Sequence, residues 1–246
     1  MAAMRGIGTL AAIASLSALL AGCEPAPESQ STANAPIATP APAATTAPAI
    51  DTLPVGAGFD FYVLSLSWSP SYCEAEGEDA NQQQCADGRL YAFVVHGLWP
   101  QFERGYPQDC ATQDPNVSRE TLRTLYDIMP SAGLIRYQWK KHGACANMAQ
   151  QDYFRVLRAA RDKVVIPTQF RRLDDYKTVD PKEVESAFIE SNQSLPAEGV
   201  AVTCDKRYLR EVRICMTKDL AYRPCPEVDR RACRLPKAMM PPIRGG

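Results

Sequence analysis

The pattern of hydrophobic and polar positions divides the chain into three parts. Behind Arg5, an apolar and small-residue run ends near residue 22, and it is too short for a membrane-spanning helix, so 1–22 is predicted to be a signal peptide. Residues 23–54 are rich in Pro, Ala, Thr and Ser and hold almost no large apolar residue. Such a segment buries too little surface to offset its ordering entropy, so a disordered tether is expected there. A globular domain is expected over 55–246.

Within the globular part, short β-rich runs and amphipathic stretches follow one another without regular alternation. Strands are predicted over 59–68, 90–95, 200–203 and 208–216. Helices are predicted over 118–128, 134–145, 152–164 and 180–191. Because the two kinds of element do not alternate, the pattern favours an α+β fold over a doubly wound parallel sheet.

Charge and histidine content exclude two classes of function. The 246 residues include 27 Lys and Arg against 28 Asp and Glu, a net charge of −1. A polyanionic substrate must therefore be held by a local patch, because the molecule as a whole has no strong positive field. His96 and His142 are the two histidines of the chain, which excludes a zinc site built on three histidines.

The nine cysteines point to export. Cys23 ends the run Leu-Ala-Gly-Cys, which resembles the lipobox of bacterial lipoproteins, where the thiol after the cleavage site is lipidated. A plain secretory signal that happens to contain a cysteine is the alternative. Removing Cys23 leaves an even number of cysteines, as disulfides in an oxidising compartment require, and paired C-x2-C zinc spacings are lacking. We therefore expect an exported domain, lipid-anchored to the bacterial cell envelope and facing the periplasm or the exterior.

Each histidine lies in a motif that could support catalysis. His96 directly follows a predicted strand and begins the run His-Gly-Leu-Trp-Pro, in which Gly97 permits close backbone approach. His142 lies in a basic stretch predicted to be helical, with Gln138 four residues before it on the same face and Lys141 beside it. Alone, either motif has a plainer explanation, because an isolated histidine is more often structural and a basic helix face is usually just solvated.

Together, the two motifs resemble the active-site signatures of the ribonuclease T2 family. The first signature, His-Gly-Leu-Trp-Pro, is matched in full over 96–100. The second, Glu-Trp-x-Lys-His-Gly-Thr-Cys, is matched at Trp139, Lys141, His142, Gly143 and Cys145. The similarity covers most of 59–216. It implies a disulfide-stabilised α+β fold with a central, mostly antiparallel sheet and flanking helices.

The resemblance also implies a function and a set of roles. Family members are endoribonucleases that need no metal or other cofactor and cleave single-stranded RNA through a 2′,3′-cyclic phosphate with broad base preference. By this resemblance His142 is the general base, His96 the general acid, and Lys141 stabilises charge in the transition state. Trp99 would stack on a base. The expected partners are single-stranded RNA and, through Cys23, a membrane, and the protein is expected to be a monomer.

Three positions depart from the family pattern. Gln138 stands where the family usually has a catalytic-site Glu, Tyr137 where many members have a third, phosphate-contacting His, and Ala144 where Thr is usual. An amide keeps hydrogen bonds but lacks the charge, so we expect activity with a reduced rate or an altered pH optimum. The departures also leave open a catalytically weak or silent fold that binds RNA or a protein partner. The paired histidine motifs argue against a purely structural lipoprotein.

Eight cysteines allow roughly a hundred disulfide connectivities, so the sequence alone does not choose among them. The family resemblance implies three pairs and leaves a fourth: Cys73–Cys85, Cys110–Cys145, Cys204–Cys215 and Cys225–Cys233. The second pair would join the loop after the first motif to the end of the helix that carries the second motif.

Overall fold

The computed structural model describes residues 53–243. The predicted signal peptide, the lipidation site Cys23 and all but the last two residues of the predicted tether lie outside the described residues. Within 53–243, no helix combines the length and the apolar character that crossing a membrane requires.

A four-stranded antiparallel sheet lies at the centre of the domain, as the family resemblance implies. The strands in chain order are β1 (Phe61–Trp68), β2 (Phe93–Gln101), β3 (Lys177–Val179), β4 (Val200–Cys204), β5 (Leu209–Met216) and β6 (Ala238–Met240). The main sheet has the order β2-β1-β5-β4, and β3 pairs with β6 in a separate antiparallel ribbon. The fold-class prediction is confirmed.

Helices flank this sheet, and several begin at a side-chain cap. In chain order they are α1 (Ser69–Glu76), α2 (Gln82–Cys85), α3 (Arg119–Arg123), α4 (Ala132–Lys141), α5 (Gln150–Lys163), α6 (Pro181–Ser191) and α7 (Pro226–Asp229). The side chains of Ser118, Ser131 and Asp180 accept hydrogen bonds from the first-turn amides of α3, α4 and α6. These caps supply acceptors for amide groups that a helix start leaves without partners.

The two faces of β1 pack against different parts of the molecule, because side chains alternate along a strand. Tyr62, Leu64, Leu66 and Trp68 enter the main core, which α5 and α6 cover with residues such as Tyr153, Leu157 and Phe188. Phe61 and Val63 point to the opposite face and pack in a smaller cluster with Cys215 and Cys225, beside Trp99. We call this second side the odd face of the sheet, because the odd-numbered residues of β1 point to it. It carries the candidate site.

Two predicted boundaries were wrong near the motifs. The strand predicted over 90–95 is instead Phe93–Gln101, so His96 lies inside β2 rather than after its end. Pro100 can continue this strand because β2 is an edge strand, where a missing backbone donor costs little. The helix predicted over 134–145 ends at Lys141, and a separate 3-10 turn follows at Gly143–Ala146.

Four disulfides are present in the described domain, and two of the expected pairings were wrong. Cys73–Cys85 and Cys110–Cys145 are as expected, but the others are Cys204–Cys233 and Cys215–Cys225. The strand register explains the correction. Cys204 is opposite Leu209 and Val200 is opposite Ile214, so Cys204 and Cys215 lie at opposite ends of the β4–β5 hairpin. Strand residues rise about 3.3 Å each, which separates those two cysteines beyond the roughly 7 Å Cα limit of a disulfide.

Candidate active site

His96 projects from an irregularity in β2. Ser65 is opposite Gly97 whereas Leu66 is opposite Val95, so His96 is an extra residue on its strand, a β-bulge. Bulges redirect side chains and often occur beside active sites. The His96 side chain is 33% exposed, and its Nδ1 lies 2.5 Å from Oε1 of Glu211 on β5. The bulge thus places an accessible imidazole against a carboxylate of β5, although β1 lies between β2 and β5 in the sheet.

Glu211 is a buried carboxylate whose two oxygens have different partners. Oε1 faces His96, and Oε2 accepts hydrogen bonds from Nε and Nη2 of Arg213 at 2.9 and 2.7 Å. Burial by itself raises the pKa of Glu211, but the His96 hydrogen bond and the charges of His96 and Arg213 outweigh it and lower the pKa to about 2. The group is therefore ionised at neutral pH.

Sequence reasoning did not single out Glu211 or Arg213. The available signal was their spacing of two in a predicted strand, which puts both on one face. That spacing alone does not predict that Glu211 contacts His96.

His142 lies at the C-terminal end of α4 and is buried. Its backbone N–H donates to the Gln138 carbonyl, and the Cys110–Cys145 disulfide anchors the following turn. Gly143 is needed next to it, because a Cβ there would lie 2.7 Å from ring atoms of both Trp139 and Tyr153. The fold thus holds the imidazole at the point where α4 meets the core.

The surroundings of His142 favour the neutral imidazole. Burial is the largest cause, the charges of Lys141 and His96 act in the same direction, and Asp109 opposes them, so the pKa is lowered to about 4. Its Nδ1 is buried and has no hydrogen-bond partner among residues 53–243. At neutral pH this group can accept a proton, as a general base must.

Trp99 contacts both imidazoles and is itself tightly fixed. Its ring centroid lies 5.5 Å from that of His96 and 5.5 Å from that of His142. Its Nε1–H donates to Oε1 of the buried Gln138 at 2.7 Å. A Cβ on Gly97 would lie 2.4 Å from both atoms of this hydrogen bond, so a glycine is required at that position.

Lys141 and Tyr137 form the exposed side of the site. Lys141 Nζ donates to the Tyr137 hydroxyl at 2.9 Å, and this hydrogen bond is the largest cause that raises the pKa of Lys141. Tyr137 is 52% exposed. The lysine therefore remains a cation beside His142, available to an anion that enters the site.

A cavity of about 240 Å³ opens on the odd face of the sheet next to these groups. Its walls include hydrophobic, aromatic and basic side chains, among them Phe61, Val63, Trp99, Tyr106, Lys141 and His142, and one carboxylate, Glu227. Such a lining suits a ligand with a flat apolar ring and an anionic group. Across the described part of the chain, no cluster of three or more His, Cys, Asp or Glu side chains is arranged to hold a metal ion.

The structure brings His96, His142, Lys141 and Trp99 together around one site, with Gln138 beneath Trp99 and Tyr137 at the edge. The sequence motifs therefore identified residues that are neighbours in space although 46 positions separate the two histidines along the chain. Their catalytic and binding roles stay predictions at this point.

Comparisons with known proteins show which family the chain resembles. The sequence profile of the Ribonuclease T2 family matches residues 59–225. A ribonuclease of Aeromonas hydrophila is 32% identical over 179 residues, covering 65% of this chain and 73% of the relative. Ribonuclease I of Escherichia coli strain K12 is 28% identical over 210 residues, covering 68% and 78%.

A solved structure extends the likeness to the fold. The RNase-related protein from Calystegia sepium superposes with a TM-score of 0.59 at 19% identity, covering 75% of this chain and 98% of the other. On the family match and the identity to the Aeromonas protein, the chain belongs to the ribonuclease T2 family.

Proposed function

We propose that this T2-family ribonuclease cleaves single-stranded RNA without a metal, by transphosphorylation through a 2′,3′-cyclic phosphate. One observation carries the proposal most: two imidazoles in contrasting surroundings contact the same indole. His142 is buried beside Lys141, and His96 faces an ionised carboxylate. Pairs of titratable groups in such contrasting environments are typical of a base and an acid in one reaction.

Each proton in the proposed step has a donor and an acceptor. Neutral His142 takes the proton of the 2′-hydroxyl, and the 2′-oxygen attacks phosphorus. The bond from phosphorus to the 5′-oxygen breaks with its electron pair on that oxygen, which takes a proton from His96. Lys141 offsets the negative charge that builds up on the phosphoryl oxygens. DNA lacks the attacking hydroxyl and should resist cleavage.

Substrate binding is proposed to rest on stacking more than on base-specific contacts. Trp99 is proposed to stack on a base, a sequence-tolerant contact worth roughly 1–3 kcal/mol. Tyr137 is proposed to contact the substrate near the phosphate, next to Lys141. We therefore expect broad base preference.

A cleavage assay on the purified protein tests this function. RNA, or DNA of the same sequence, is incubated with excess EDTA, and the products are identified by mass. We expect cyclic-phosphate ends from RNA alone, and a loss of about a thousandfold or more in His96→Ala and His142→Ala. Full activity in either variant, or complete dependence on a metal, would contradict the proposal.

The second candidate is a weak or silent fold that binds RNA or a protein. Gln138 favours it, because the buried amide is engaged with Trp99 and brings no charge to the site. Intact RNA over a broad pH range, together with measurable RNA binding that Trp99→Ala abolishes, would support this alternative.

Export and lipid anchoring are proposed from the N-terminal motif and the disulfides. Four disulfides suit an oxidising compartment. Acylation of Cys23 would hold the mature protein at a membrane surface. Mass analysis of the mature N-terminus should find a lipidated Cys23, and Cys23→Ser should shift the protein from the membrane fraction to the soluble fraction.

A further inference from the structure

We infer that Glu211, on β5, is a positioning residue for the ribonuclease reaction. Its carboxylate holds Nδ1 of His96 and thereby leaves Nε2 to protonate the departing 5′-oxygen. The inference rests on the proposed function, in which His96 is the acid. It adds a residue that neither signature motif contains, 115 positions away from His96 along the chain.

The contacts of Glu211 hold its carboxylate in one orientation. Oε1 is committed to His96 at 2.5 Å and Oε2 to the two hydrogen bonds from Arg213. The strand that carries it, β5, pairs with β1 on one side and β4 on the other. A side chain on an interior strand with both oxygens engaged is well suited to orient a catalytic group, because it has little freedom to move.

The charge state of the pair indicates which nitrogen of His96 exchanges a proton. An ionised carboxylate only accepts hydrogen bonds, so Nδ1 of His96 must carry the hydrogen in the contact with Oε1. The nitrogen that gains or loses a proton is then Nε2. When Nε2 gives its proton to the 5′-oxygen, Nδ1 keeps its own and Glu211 remains an anion, so the step balances without a proton moving to the carboxylate.

The position of Glu211 also bears on the departure at residue 138. The amide of Gln138 fixes Trp99 and brings no charge, whereas the carboxylate against an imidazole comes from β5. The carboxylate that contacts an imidazole in this site is therefore Glu211, and residue 138 is neutral. Gln138 and Glu211 thus hold different groups, the indole of Trp99 and the imidazole of His96.

Two substrates with different leaving groups distinguish a misplaced acid from a general loss of active-site structure. One is a dinucleoside monophosphate, and the other is the p-nitrophenyl 3′-phosphodiester of the same nucleoside, chosen as the base that the wild type cleaves best. An alkoxide needs a proton to leave, whereas p-nitrophenolate leaves readily without one. A variant that only misplaces the acid should therefore lose activity on the first substrate and keep it on the second.

The variants are Glu211→Gln and Glu211→Ala, and Glu185→Gln is the matched control. Glu185 is also a buried carboxylate, but it accepts hydrogen bonds from the Val202 N–H and from Lys182, neither of which lines the cavity. We expect kcat on the dinucleotide to fall about tenfold in Glu211→Gln and about a hundredfold in Glu211→Ala, with KM within about twofold. On the nitrophenyl ester both should stay within about threefold of wild type. The control should behave alike on both substrates.

Each outcome decides either this inference or the proposed function. Equal losses on both substrates, or no loss on either, overturn the role of Glu211. If His96→Ala is fully active on the dinucleotide, the proposed function fails instead. A spectroscopic test covers variants that fold poorly: nitrogen NMR of the wild-type protein at alkaline pH should show the Nδ1–H tautomer of His96. The Nε2–H tautomer there would overturn the inference.

Discussion

The site has a sheet side, which carries His96, and a helix side, which carries His142, and the two imidazoles have opposite surroundings. On the sheet side, His96 is partly exposed and its Nδ1 meets an anion held by β5. On the helix side, His142 is buried, its Nδ1 has no partner within the described domain, and its neighbour Lys141 is a cation. The contrast teaches that the proposed roles of acid and base are set by the two surroundings, since the side chains themselves are identical.

The helix side also shows which of several effects is larger. A helix C-terminus favours a positive imidazole by about 0.3–1 kcal/mol, up to about 2 kcal/mol when partly buried. His142 occupies that position at the end of α4, yet its pKa is lowered to about 4. Burial and the charges of Lys141 and His96 therefore outweigh the charge of Asp109.

Removing the cation beside His142 should weaken catalysis strongly. In Lys141→Ala, kcat/KM should fall about a hundredfold because charge in the transition state loses its counterion. The pKa of His142 should rise, since the cation that lowers it is gone, so the acid limb of the kcat/KM profile should move to higher pH. The measurement is the pH dependence of dinucleotide cleavage.

The matched control for that variant is Lys140→Ala, which removes the adjacent exposed lysine of α4. It should leave the rate within about twofold and the acid limb in place. If both lysine variants lose activity equally, nonspecific attraction of RNA explains the loss, and a specific role for Lys141 is wrong.

Loosening the end of α4 should give the next largest effect. Cys110–Cys145 spans 35 positions and Cys73–Cys85 spans 12, so replacing each pair by serines should cost about 4 and about 3 kcal/mol of unfolding free energy. The two losses of stability are similar, but the first bond holds the turn after His142. We expect kcat to fall about tenfold for the first pair and to stay within about twofold for the second.

Denaturant unfolding measures the loss of stability and kinetics measure the loss of kcat, both on the same preparations. Equal losses of kcat in both double variants would mean that lowered stability, rather than the placement of His142, limits the rate.

A carboxylate at position 138 would give His142 a nearby anion, as His96 already has in Glu211. Gln138→Glu keeps an acceptor for Trp99 and adds negative charge four residues before His142. An anion favours the protonated imidazole, so the pKa of His142 should rise and the acid limb of kcat/KM should move to higher pH. The rate above that limb should change by only a few fold. An unchanged pH profile and rate would show that position 138 does not act on catalysis here.

Local patterns in the sequence predicted one part of this site and missed another for a physical reason. Residue type and motif singled out His96, His142 and Lys141, because few side chains can exchange a proton near neutral pH or hold a cation beside a phosphate. Alternation and helical spacing also predicted β1, β5 and α6 to within two residues. These features depend on neighbours along the chain.

The missed features depend on strand register, which no single segment encodes. The bulge at His96 exists only as a mismatch between β2 and β1, and the contact with Glu211 requires β5 to lie on the other side of β1. The same register places Cys204 and Cys215 at opposite ends of a hairpin, which is why the expected bond between them was wrong. Register is decided by packing across the sheet, far along the sequence.

The smallest effect should come from the exposed edge of the helix side. Tyr137→Phe removes the hydroxyl that accepts from Lys141 Nζ but leaves the ring, whose centroid is 5.3 Å from that nitrogen. The pKa of Lys141 should fall toward its ordinary value, but the amine stays protonated at neutral pH. We therefore expect kcat/KM within about threefold of wild type, measured on the dinucleotide at neutral pH. A loss as large as that of Lys141→Ala would mean that the hydroxyl itself acts on the phosphate, and the proposed division between Lys141 and Tyr137 would be wrong.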